Sequence, residues 1–135
     1  MGHGLGLAPA ERVRRRPDFE RAYATGLRIH ARFMTLFVVA NGGAATRLGV
    51  AATRKLGSAV DRNRAKRLAR EVFRRHKTGT GLDIVIVPRR EMLDAPFASL
   101  EADYTSALER RERGRHAQPT RSGGHGRGPR AAKRV

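Results

Sequence analysis

Residues 54–77 read RKLGSAVDRNRAKRLAREVFRRHK, and from Asp61 onward this stretch has the pattern of an amphipathic helix. Apolar side chains recur at the i, i+3, i+4 and i+7 spacing that places them on one side of a helix. They are Ala65, Leu68, Ala69, Val72 and Phe73. Asp61 is a residue type that caps a first helical turn. The pattern predicts a helix that begins near Asp61 and packs one face against a core.

The other side of this predicted helix is cationic. Its members are Arg62, Lys66, Arg67, Arg70 and Arg74, with Arg64 and Arg75 on the flank. An ordinary solvated helix face mixes charge signs, whereas here only Glu71 opposes the seven basic residues. Uncompensated like charge costs stability unless a polyanion supplies the opposite charge. We therefore expect this helix to bind nucleic acid.

The composition of the whole chain supports the same expectation. The 135 residues include 29 Lys and Arg against 12 Asp and Glu, which gives a formal net charge of +17. Such a balance is typical of proteins that bind polyanions, most often nucleic acids and less often anionic membrane surfaces. No apolar run is long enough to span a bilayer, so we expect no membrane insertion. The absence of cysteine excludes disulfides and thiolate metal sites and fits a reducing cytoplasm.

The remaining pattern predicts a small two-layer α+β sandwich with the element order α-β-β-β-α-β-α. The predicted elements are a helix from Pro17 to Gly26, strands at Leu27 to His30, Phe33 to Ala40 and Thr46 to Thr53, the basic helix, a strand from Leu82 to Val87, and a last helix from about Pro96. Asn41-Gly42-Gly43 is a hairpin signal, so we expect the strands on either side of it to pair antiparallel. The apolar run from Leu82 to Val87 indicates a central strand.

Four aromatic residues have two interpretations. Phe19 and Tyr23 lie one turn apart on the first predicted helix, and Phe33 and Phe37 share one face of the second predicted strand. They are either core residues, which is the commoner fate of such side chains, or a platform on which unpaired bases stack. The pattern alone leaves both interpretations open.

The ends of the chain differ in character from its middle. Residues 1–11 are expected to be a mobile N-terminus, residues 12–112 an RNA-binding α+β domain, and residues 113–135 a disordered basic tail. The tail reads RGRHAQPTRSGGHGRGPRAAKRV and lacks aromatic residues and periodicity. Such a segment does not bury enough apolar area to order itself.

The sequence shows no catalytic or metal centre. Its serines lie outside any nucleophile-elbow pattern, and its histidines lack the paired helical spacing of a zinc helix. Asp61 is interpreted as a helix cap and Asp83 as a charge at a strand edge. We expect no catalytic residue and no metal ligand in the protein itself.

The chain also carries an ordered series of short motifs. In and before the basic helix they are Gly57-Ser58-Ala59-Val60, Arg62-Asn63-Arg64, Lys66-Arg67, Arg70-Glu71 and Phe73-Arg74. Outside it they are Asp18-Phe19, Tyr23, Arg47-Leu48-Gly49-Val50 and Asp83-Ile84-Val85-Ile86-Val87. Together they resemble the protein component of bacterial ribonuclease P. The resemblance spans about Arg12 to Leu108, which makes it far more specific than any single motif.

The resemblance implies a function and a division of labour. Ribonuclease P is an endonuclease, a hydrolase that matures the 5′ end of precursor tRNA, and in bacteria its RNA subunit performs the hydrolysis with Mg²⁺ held mainly by RNA. The expected partners are the ribonuclease P RNA and precursor tRNA in a cytoplasmic ribonucleoprotein, with no membrane and no protein partner. The family also implies an unusual left-handed βαβ crossover, which most proteins avoid.

The resemblance further implies which residues form the sites. Those expected to contact the catalytic RNA are Arg62, Asn63, Arg64, Lys66, Arg67 and Arg70. Those expected to bind the single-stranded 5′ leader are Phe19, Tyr23, Phe33, Phe37, Arg54, Lys55, Arg89 and Arg90. Cations neutralise phosphates without sequence preference and aromatic faces accept any unstacked base, which suits a leader that varies among tRNAs.

Two other functions fit parts of the pattern. A ribosomal or nucleoid-type protein would coat RNA or DNA through its charge and have no part in an enzyme, and composition alone does not separate it from a ribonuclease P subunit. A standalone nuclease is the least favoured, because the sequence shows no cluster of acids or nucleophiles.

Overall fold

The computed structural model describes residues 7–77 and 81–117. Its helices are α1 (Arg16–Thr25), α2 (Ala59–Arg75) and α3 (Phe97–Ala117), and its strands are β1 (Leu27–His30), β2 (Met34–Ala40), β3 (Arg47–Val50) and β4 (Leu82–Pro88). Short 3-10 turns span Pro9–Glu11, Arg54–Leu56 and Arg90–Asp94. The predicted α+β class and the order α-β-β-β-α-β-α are confirmed.

The described elements and core contacts extend beyond the predicted domain boundaries at both ends. Leu7 packs in the main core with 4% of its surface exposed, so part of the segment expected to be mobile joins the domain. Helix α3 continues past the expected boundary at residue 112 to Ala117. Residues 1–6 and 118–135, which hold the rest of the predicted mobile end and most of the predicted basic tail, lie outside the described residues.

The described strands form one sheet in the order β1-β2-β4-β3. β2 pairs antiparallel with β1 and β4, whereas β3 pairs parallel with β4. The expected antiparallel pairing of the second and third strands is therefore wrong, because β4 lies between them. The turn itself forms, with Gly42 at φ 75°. The almost continuous apolar run of β4 takes the central place because a strand there is covered on both faces and paired on both edges.

Helix α2 connects the parallel strands β3 and β4 and so completes a βαβ unit. The connection is long enough for a parallel crossover because it contains a whole helix. The left hand that the family resemblance implies for this crossover stays a prediction.

One face of the sheet packs against α2 and α3 to form the main core. The strands contribute Met34, Leu36 and Val38 from β2 and Ile84 and Ile86 from β4. The helices contribute Ala65, Ala69, Val72 and Phe73 from α2, with Leu68 packed at the margin, and Leu100 and Tyr104 from α3. The predicted apolar stripe of α2 is confirmed. Burial of a side chain of the size of Phe73 contributes about 2 kcal/mol.

Helix α2 begins before Asp61, at Ala59. The Ser58 hydroxyl accepts a hydrogen bond from the Asp61 N–H at 3.1 Å, and the Asp61 carboxylate accepts one from the Ser58 N–H at 3.1 Å. Gly57 precedes this pair with φ 142°, and a side chain there would collide with the Asp61 carboxylate. Asp61 therefore caps the helix as predicted, but as one half of a capping box whose N-cap is Ser58, a device that contributes about 1 kcal/mol.

The opposite face of the sheet carries α1 and a buried charge network. The Asp83 side chain on β4 has no exposed surface. Arg47 of β3 donates to both of its carboxylate oxygens, at 2.8 and 2.7 Å, and Asn41 donates at 2.9 Å. Arg21 of α1 donates at 3.3 Å. The interpretation of Asp83 as a strand-edge charge is wrong, because β4 is a central strand and its neighbours cover this carboxylate.

The network keeps the Asp83 carboxylate ionised. Burial alone would raise the pKa of Asp83, but the hydrogen bonds from Arg47 and Asn41 and the charges of Arg47 and Arg21 outweigh that effect and hold the pKa below its usual value. In turn, the hydrogen bond to Asp83 raises the pKa of Arg47. Because these groups belong to α1, β3, β4 and the turn after β2, the network joins the helix to the sheet.

Replacement of Asp83 by Asn is expected to lower the free energy of unfolding by about 3 kcal/mol, because it leaves Arg21 without a carboxylate and Arg47 with only the Asp18 carboxylate at 3.5 Å. Urea denaturation followed by circular dichroism at pH 7 measures this effect. Asp94→Asn is the control, because Asp94 is exposed and has no ion pair among the described residues; it is expected to change the free energy by less than about 0.5 kcal/mol. Equal stability of the two variants would contradict the prediction.

The same carboxylate predicts a pH dependence. Because the pKa of Asp83 is lower in the folded than in the unfolded chain, its contribution to stability is complete above the unfolded pKa and is lost as the pH falls through the folded pKa. We expect the stability difference between the wild-type chain and the Asp83→Asn variant to shrink from about pH 4 downward. A constant difference between pH 7 and pH 3 in urea denaturation would contradict this assignment.

Candidate nucleic-acid interface

Helix α2 presents a polar face away from the main core, on which Asn63, Arg64 and Arg67 are exposed and Lys66 and Arg70 are half-buried. This cationic face consists of Asn63, Arg64, Lys66, Arg67 and Arg70. Within residues 7–77 and 81–117, none of these side chains makes a hydrogen bond or an ion pair. The protein therefore leaves the four positive charges uncompensated at the point where a polyanion can approach them.

The other three arginines of the helix are engaged within the protein. Arg62 donates to the carbonyl oxygen of Gly57 at 3.0 Å. Arg74 and Arg75 pair with Glu71 at 2.6 and 2.8 Å. Hydrogen bonds from these two arginines lower the pKa of Glu71. The cationic face therefore ends before the last turn of α2, where Glu71 offsets the charge.

Arg62 differs from the residues of the cationic face because its side chain is occupied within the protein. Lys66 and Arg70 are half-buried as Arg62 is, but Arg62 also makes a hydrogen bond. Its half-buried side chain ties the first turn of α2 to the preceding loop at Gly57. The expected contact of Arg62 with the catalytic RNA stays a prediction.

One apolar residue also belongs to the exposed side of α2. The Val60 side chain is 74% exposed, and Asn63, Arg64 and Arg67 follow it at i+3, i+4 and i+7. These spacings align the four residues along one stripe of the helix. The sequence prediction assigned Val60 to no site, although its spacing to Asn63, Arg64 and Arg67 is a signal that could have placed it beside them.

An aromatic surface lies on the opposite face of the sheet, beneath and beside α1. The Tyr23 ring meets the Phe37 ring edge-on, with 5.0 Å between their centroids, and the Phe19 centroid lies 6.5 Å from that of Tyr23. Phe37 is buried with 2% of its surface exposed, whereas Phe19 and Tyr23 are half-buried. Partial burial raises the pKa of Tyr23. Phe37 is therefore a core residue, whereas Phe19 and Tyr23 are partly accessible, and base stacking on these two rings stays a prediction.

Gly49 on β3 allows α1 to approach the sheet closely. A Cβ atom at this position would lie 2.8 Å from the Phe19 ring and 2.9 Å from the Val13 side chain. Real Cβ atoms do not approach other heavy atoms so closely, since the van der Waals contact distance between carbons is about 3.5 Å or more. The absence of a side chain at Gly49 therefore allows the Phe19 ring to lie close against the sheet.

Phe33 does not join the aromatic surface. It precedes β2, which begins at Met34, and its ring packs in the main core with Met34 and Leu36. The guanidinium group of Arg32 lies 5.1 Å from the centroid of the Phe33 ring. The prediction that Phe33 and Phe37 share one face is wrong, because strand alternation does not extend to a residue outside the strand.

The four predicted leader-binding cations lie in two places. Arg54 and Lys55 are exposed at the start of a 3-10 turn. Arg90 donates to the carbonyl oxygen of Leu56 in that same turn at 2.7 Å. Arg89 lies apart from them and donates to the Thr35 hydroxyl at 3.4 Å. The structure thus brings Arg90 to the turn of Arg54 and Lys55 and places Arg89 beside β2.

The described residues contain neither a metal-binding cluster nor a membrane-spanning helix. Among residues 7–77 and 81–117, no group of three or more His, Cys, Asp or Glu side chains is arranged to hold a metal ion. In the same ranges, no helix has the length and apolar character needed to cross a membrane.

The fold and its two surfaces define a small α+β protein of the nucleic-acid-binding class. The family model for ribonuclease P matches residues 7–112. The chain belongs to the ribonuclease P protein family. RNA binding is general in this family, and its members take part in tRNA processing.

Relatives and solved structures agree with this family. The ribonuclease P protein component of Oleidesulfovibrio alaskensis is 42% identical over 90 residues, which cover 64% of this chain and 72% of the relative. The ribonuclease P protein component of Symbiobacterium thermophilum is 39% identical over 107 residues, which cover 77% of this chain and 93% of the relative. The RNase P protein from Thermotoga maritima superimposes with a TM-score of 0.67 at 33% identity, over 74% of this chain and 96% of that one. The Staphylococcus aureus RNase P protein superimposes with a TM-score of 0.65 at 30% identity, over 73% of this chain and 93% of that one.

Reversal of two charges on the cationic face is expected to weaken RNA binding without unfolding the protein. In the double variant Arg64→Glu with Arg67→Glu, affinity for a structured RNA is expected to fall at least about tenfold at moderate salt, because two phosphate contacts become repulsive. The slope of log K against log salt concentration is expected to shrink by about two. Filter binding across a salt series measures both effects, and circular dichroism checks the fold.

A matched double variant controls for net charge. Arg14→Glu with Arg113→Glu makes the same change at exposed residues away from α2. If the reduction in affinity were the same in both double variants, the cationic face would have no special role in RNA binding.

Proposed function

We propose that this chain is the protein subunit of ribonuclease P and assists a catalytic RNA in removing the 5′ leader from precursor tRNA. The observation that carries the proposal is the presence, in a member of this family, of two differently built surfaces on opposite faces of one sheet. A single RNA-coating function needs one cationic surface, whereas a subunit that joins an RNA enzyme to its substrate needs two.

The cationic face of α2 is the proposed contact for the catalytic RNA. Arg64, Lys66, Arg67 and Arg70 supply charge to the phosphates, and the Asn63 amide donates and accepts hydrogen bonds at a ribose hydroxyl or a base edge. Val60 adds an apolar contact at the start of the helix. A folded RNA presents phosphates at fixed positions, which suits cations that are held on a rigid helix.

The aromatic surface is the proposed contact for the single-stranded leader. Unpaired bases stack on the accessible parts of Phe19 and Tyr23, while the buried Phe37 ring supports Tyr23 from below. Stacking of one base on an aromatic side chain contributes about 1–3 kcal/mol and is tolerant of sequence. Arg54, Lys55 and Arg90 at the 3-10 turn, and Arg89 beside β2, neutralise the leader phosphates in this proposal.

In this proposal the RNA subunit carries out the hydrolysis, with Mg²⁺ held mainly by RNA, and the complex works in the cytoplasm. The contribution of the protein is electrostatic and positional. Its cations reduce the repulsion between two RNA molecules that must come together, so less Mg²⁺ is needed for the same rate. Its aromatic surface holds the leader and so distinguishes precursor tRNA from mature tRNA.

The direct test is cleavage of precursor tRNA by a bacterial ribonuclease P RNA at low Mg²⁺ concentration. We expect cleavage at the mature 5′ end when protein and RNA are both present, and none with the protein alone. Mg²⁺-dependent cleavage by the protein alone would contradict the proposal. RNA binding that leaves the cleavage rate unchanged would favour a general RNA-coating protein instead.

The variant Tyr23→Ala tests the leader surface. It is expected to weaken binding of precursor tRNA to the protein–RNA complex by about tenfold, because one stacking contact is lost. Binding of mature tRNA, which has no leader, is expected to stay unchanged, and a fluorescence titration of each tRNA measures the difference. Tyr23→Phe keeps the ring and is the control, since it is expected to bind precursor tRNA nearly as the wild-type chain does. Equal losses of affinity for precursor and mature tRNA would contradict binding of the leader at this surface.

A further inference from the structure

The 3-10 turn between β3 and α2 carries two exposed cations on an anchored backbone. Arg54 and Lys55 begin this turn, and their side chains make no hydrogen bond or ion pair among the described residues. The next residue, Leu56, packs in the main core with 3% of its surface exposed. The Leu56 side chain therefore fixes the turn to the core, while the two cations are accessible to a ligand.

Backbone hydrogen bonds close the turn at two places. The N–H of Leu56 donates to the Thr53 carbonyl oxygen at 3.0 Å, and the N–H of Gly57 donates to the Arg54 carbonyl oxygen at 3.1 Å. The carbonyl groups of Leu56 and Gly57 are acceptors too, and a carbonyl group that is shielded from water needs a donor. Their donors come from outside the turn.

Arginines from two other elements bind these consecutive carbonyl groups. Arg90, which begins the 3-10 turn after β4, donates to the Leu56 carbonyl oxygen at 2.7 Å. Arg62 of α2 donates to the Gly57 carbonyl oxygen at 3.0 Å. The turn is thus tied both to α2 and to the segment that follows β4.

Both arginines belong to elements that are themselves fixed. Arg62 lies in the helix whose apolar stripe packs in the main core, and the turn of Arg90 buries Met92 and Leu93 there. A guanidinium group has five N–H donors, so Arg90 can hold the turn and still offer charge and donors to a phosphate.

We propose that Arg62 and Arg90 are positioning residues, which hold the turn so that its two cations meet the phosphates of single-stranded RNA in a fixed arrangement. The inference rests on the proposed function of the leader-binding cations. Cations on a backbone that is already ordered lose less conformational freedom on binding, so more of the electrostatic attraction appears as affinity. Because Arg62 belongs to α2, its bond also fixes the turn relative to the cationic face, where we propose that the catalytic RNA binds.

The inference gives Arg90 a second role and Arg62 a different one. Arg90 contributes its own charge to the leader and in addition acts through Arg54 and Lys55. The family resemblance implies that Arg62 contacts the catalytic RNA, whereas its bond to Gly57 makes it a support for the binding of the leader.

The test is a mutant cycle in the complex of the full chain with a bacterial ribonuclease P RNA. The measured quantity is the affinity for precursor tRNA divided by the affinity for mature tRNA, because a general loss of fold or of complex lowers both affinities alike. Circular dichroism checks that each variant is folded. The variants are Arg90→Met, Arg62→Met, the double variant Arg54→Gln with Lys55→Gln, and each Met variant combined with that double variant.

If the two arginines act through the turn, their replacement matters most while the turn has its cations. We expect Arg90→Met to lower the affinity ratio by about tenfold in the wild-type background and by about threefold without Arg54 and Lys55, the remainder being the charge of Arg90 itself. We expect Arg62→Met to lower the ratio by about threefold in the wild-type background and to leave it unchanged without the two cations.

Arg89→Met is the matched control, since it makes the same change at the neighbouring residue. Arg89 donates to the Ala31 carbonyl oxygen at 3.3 Å and to the Thr35 hydroxyl at 3.4 Å, and so binds β2 and the loop before it instead of the turn. Its replacement is expected to lower the affinity ratio by the same factor with and without Arg54 and Lys55.

The outcomes separate this inference from the proposed function. An affinity ratio near one in the wild-type complex would overturn both. A ratio that does not respond to the loss of Arg54 and Lys55 would overturn the inference and leave the aromatic surface as the contact for the leader. Losses from Arg90→Met and Arg62→Met that are the same with and without the two cations would overturn the inference alone, and Arg90 would then be a direct contact only.

Discussion

The carboxylate of Asp83 sits without exposed surface in the central strand, held by Arg47 from one neighbouring strand and Arg21 from α1. An isolated charge at such a place would be strongly unfavourable, so the carboxylate and its partners must come together for the sheet to form as observed. This constraint fixes α1 over the sheet and thereby sets the positions of Phe19 and Tyr23. The aromatic surface depends on a charge network that no RNA needs to touch.

The sheet also keeps the two proposed RNA-binding surfaces apart. Helix α2 buries its apolar stripe against one face, so its cations point away from the protein on that side. The rings of α1 lie on the other face, where Gly49 lets Phe19 approach β3. Because these surfaces lie on opposite faces of the sheet, the two proposed RNA contacts use different side chains. The geometry suits a protein that connects two nucleic acids better than one that coats a single one.

Most of the correct predictions rest on the regular spacing of apolar residues along the chain. The apolar stripe of α2 and the order of elements follow from spacing along the chain, which the sequence displays directly. The pairing of strands was wrong because a hairpin signal is local, whereas the central place of β4 is decided by burial against distant residues. Phe33 was misplaced because it precedes β2, where the alternation of a strand does not apply, and the hydrogen bond of Arg62 to Gly57 is a contact that helical spacing does not reveal. The partners of Asp83 come from three separate segments, and no sequence pattern brings them together.

The central strand has a consequence for how the protein becomes active. β4 follows α2 along the chain, yet it supplies Asp83 and Val85 beneath α1 and Ile84 and Ile86 beneath α2. Neither helix has its supporting surface until β4 has entered between β2 and β3, and such non-local pairing is a late event in folding. A chain still being synthesised through α2 therefore has its cations but no assembled surface to hold them. Both proposed RNA-binding surfaces depend on β4, so a chain in which β4 has not yet paired has neither surface fully assembled.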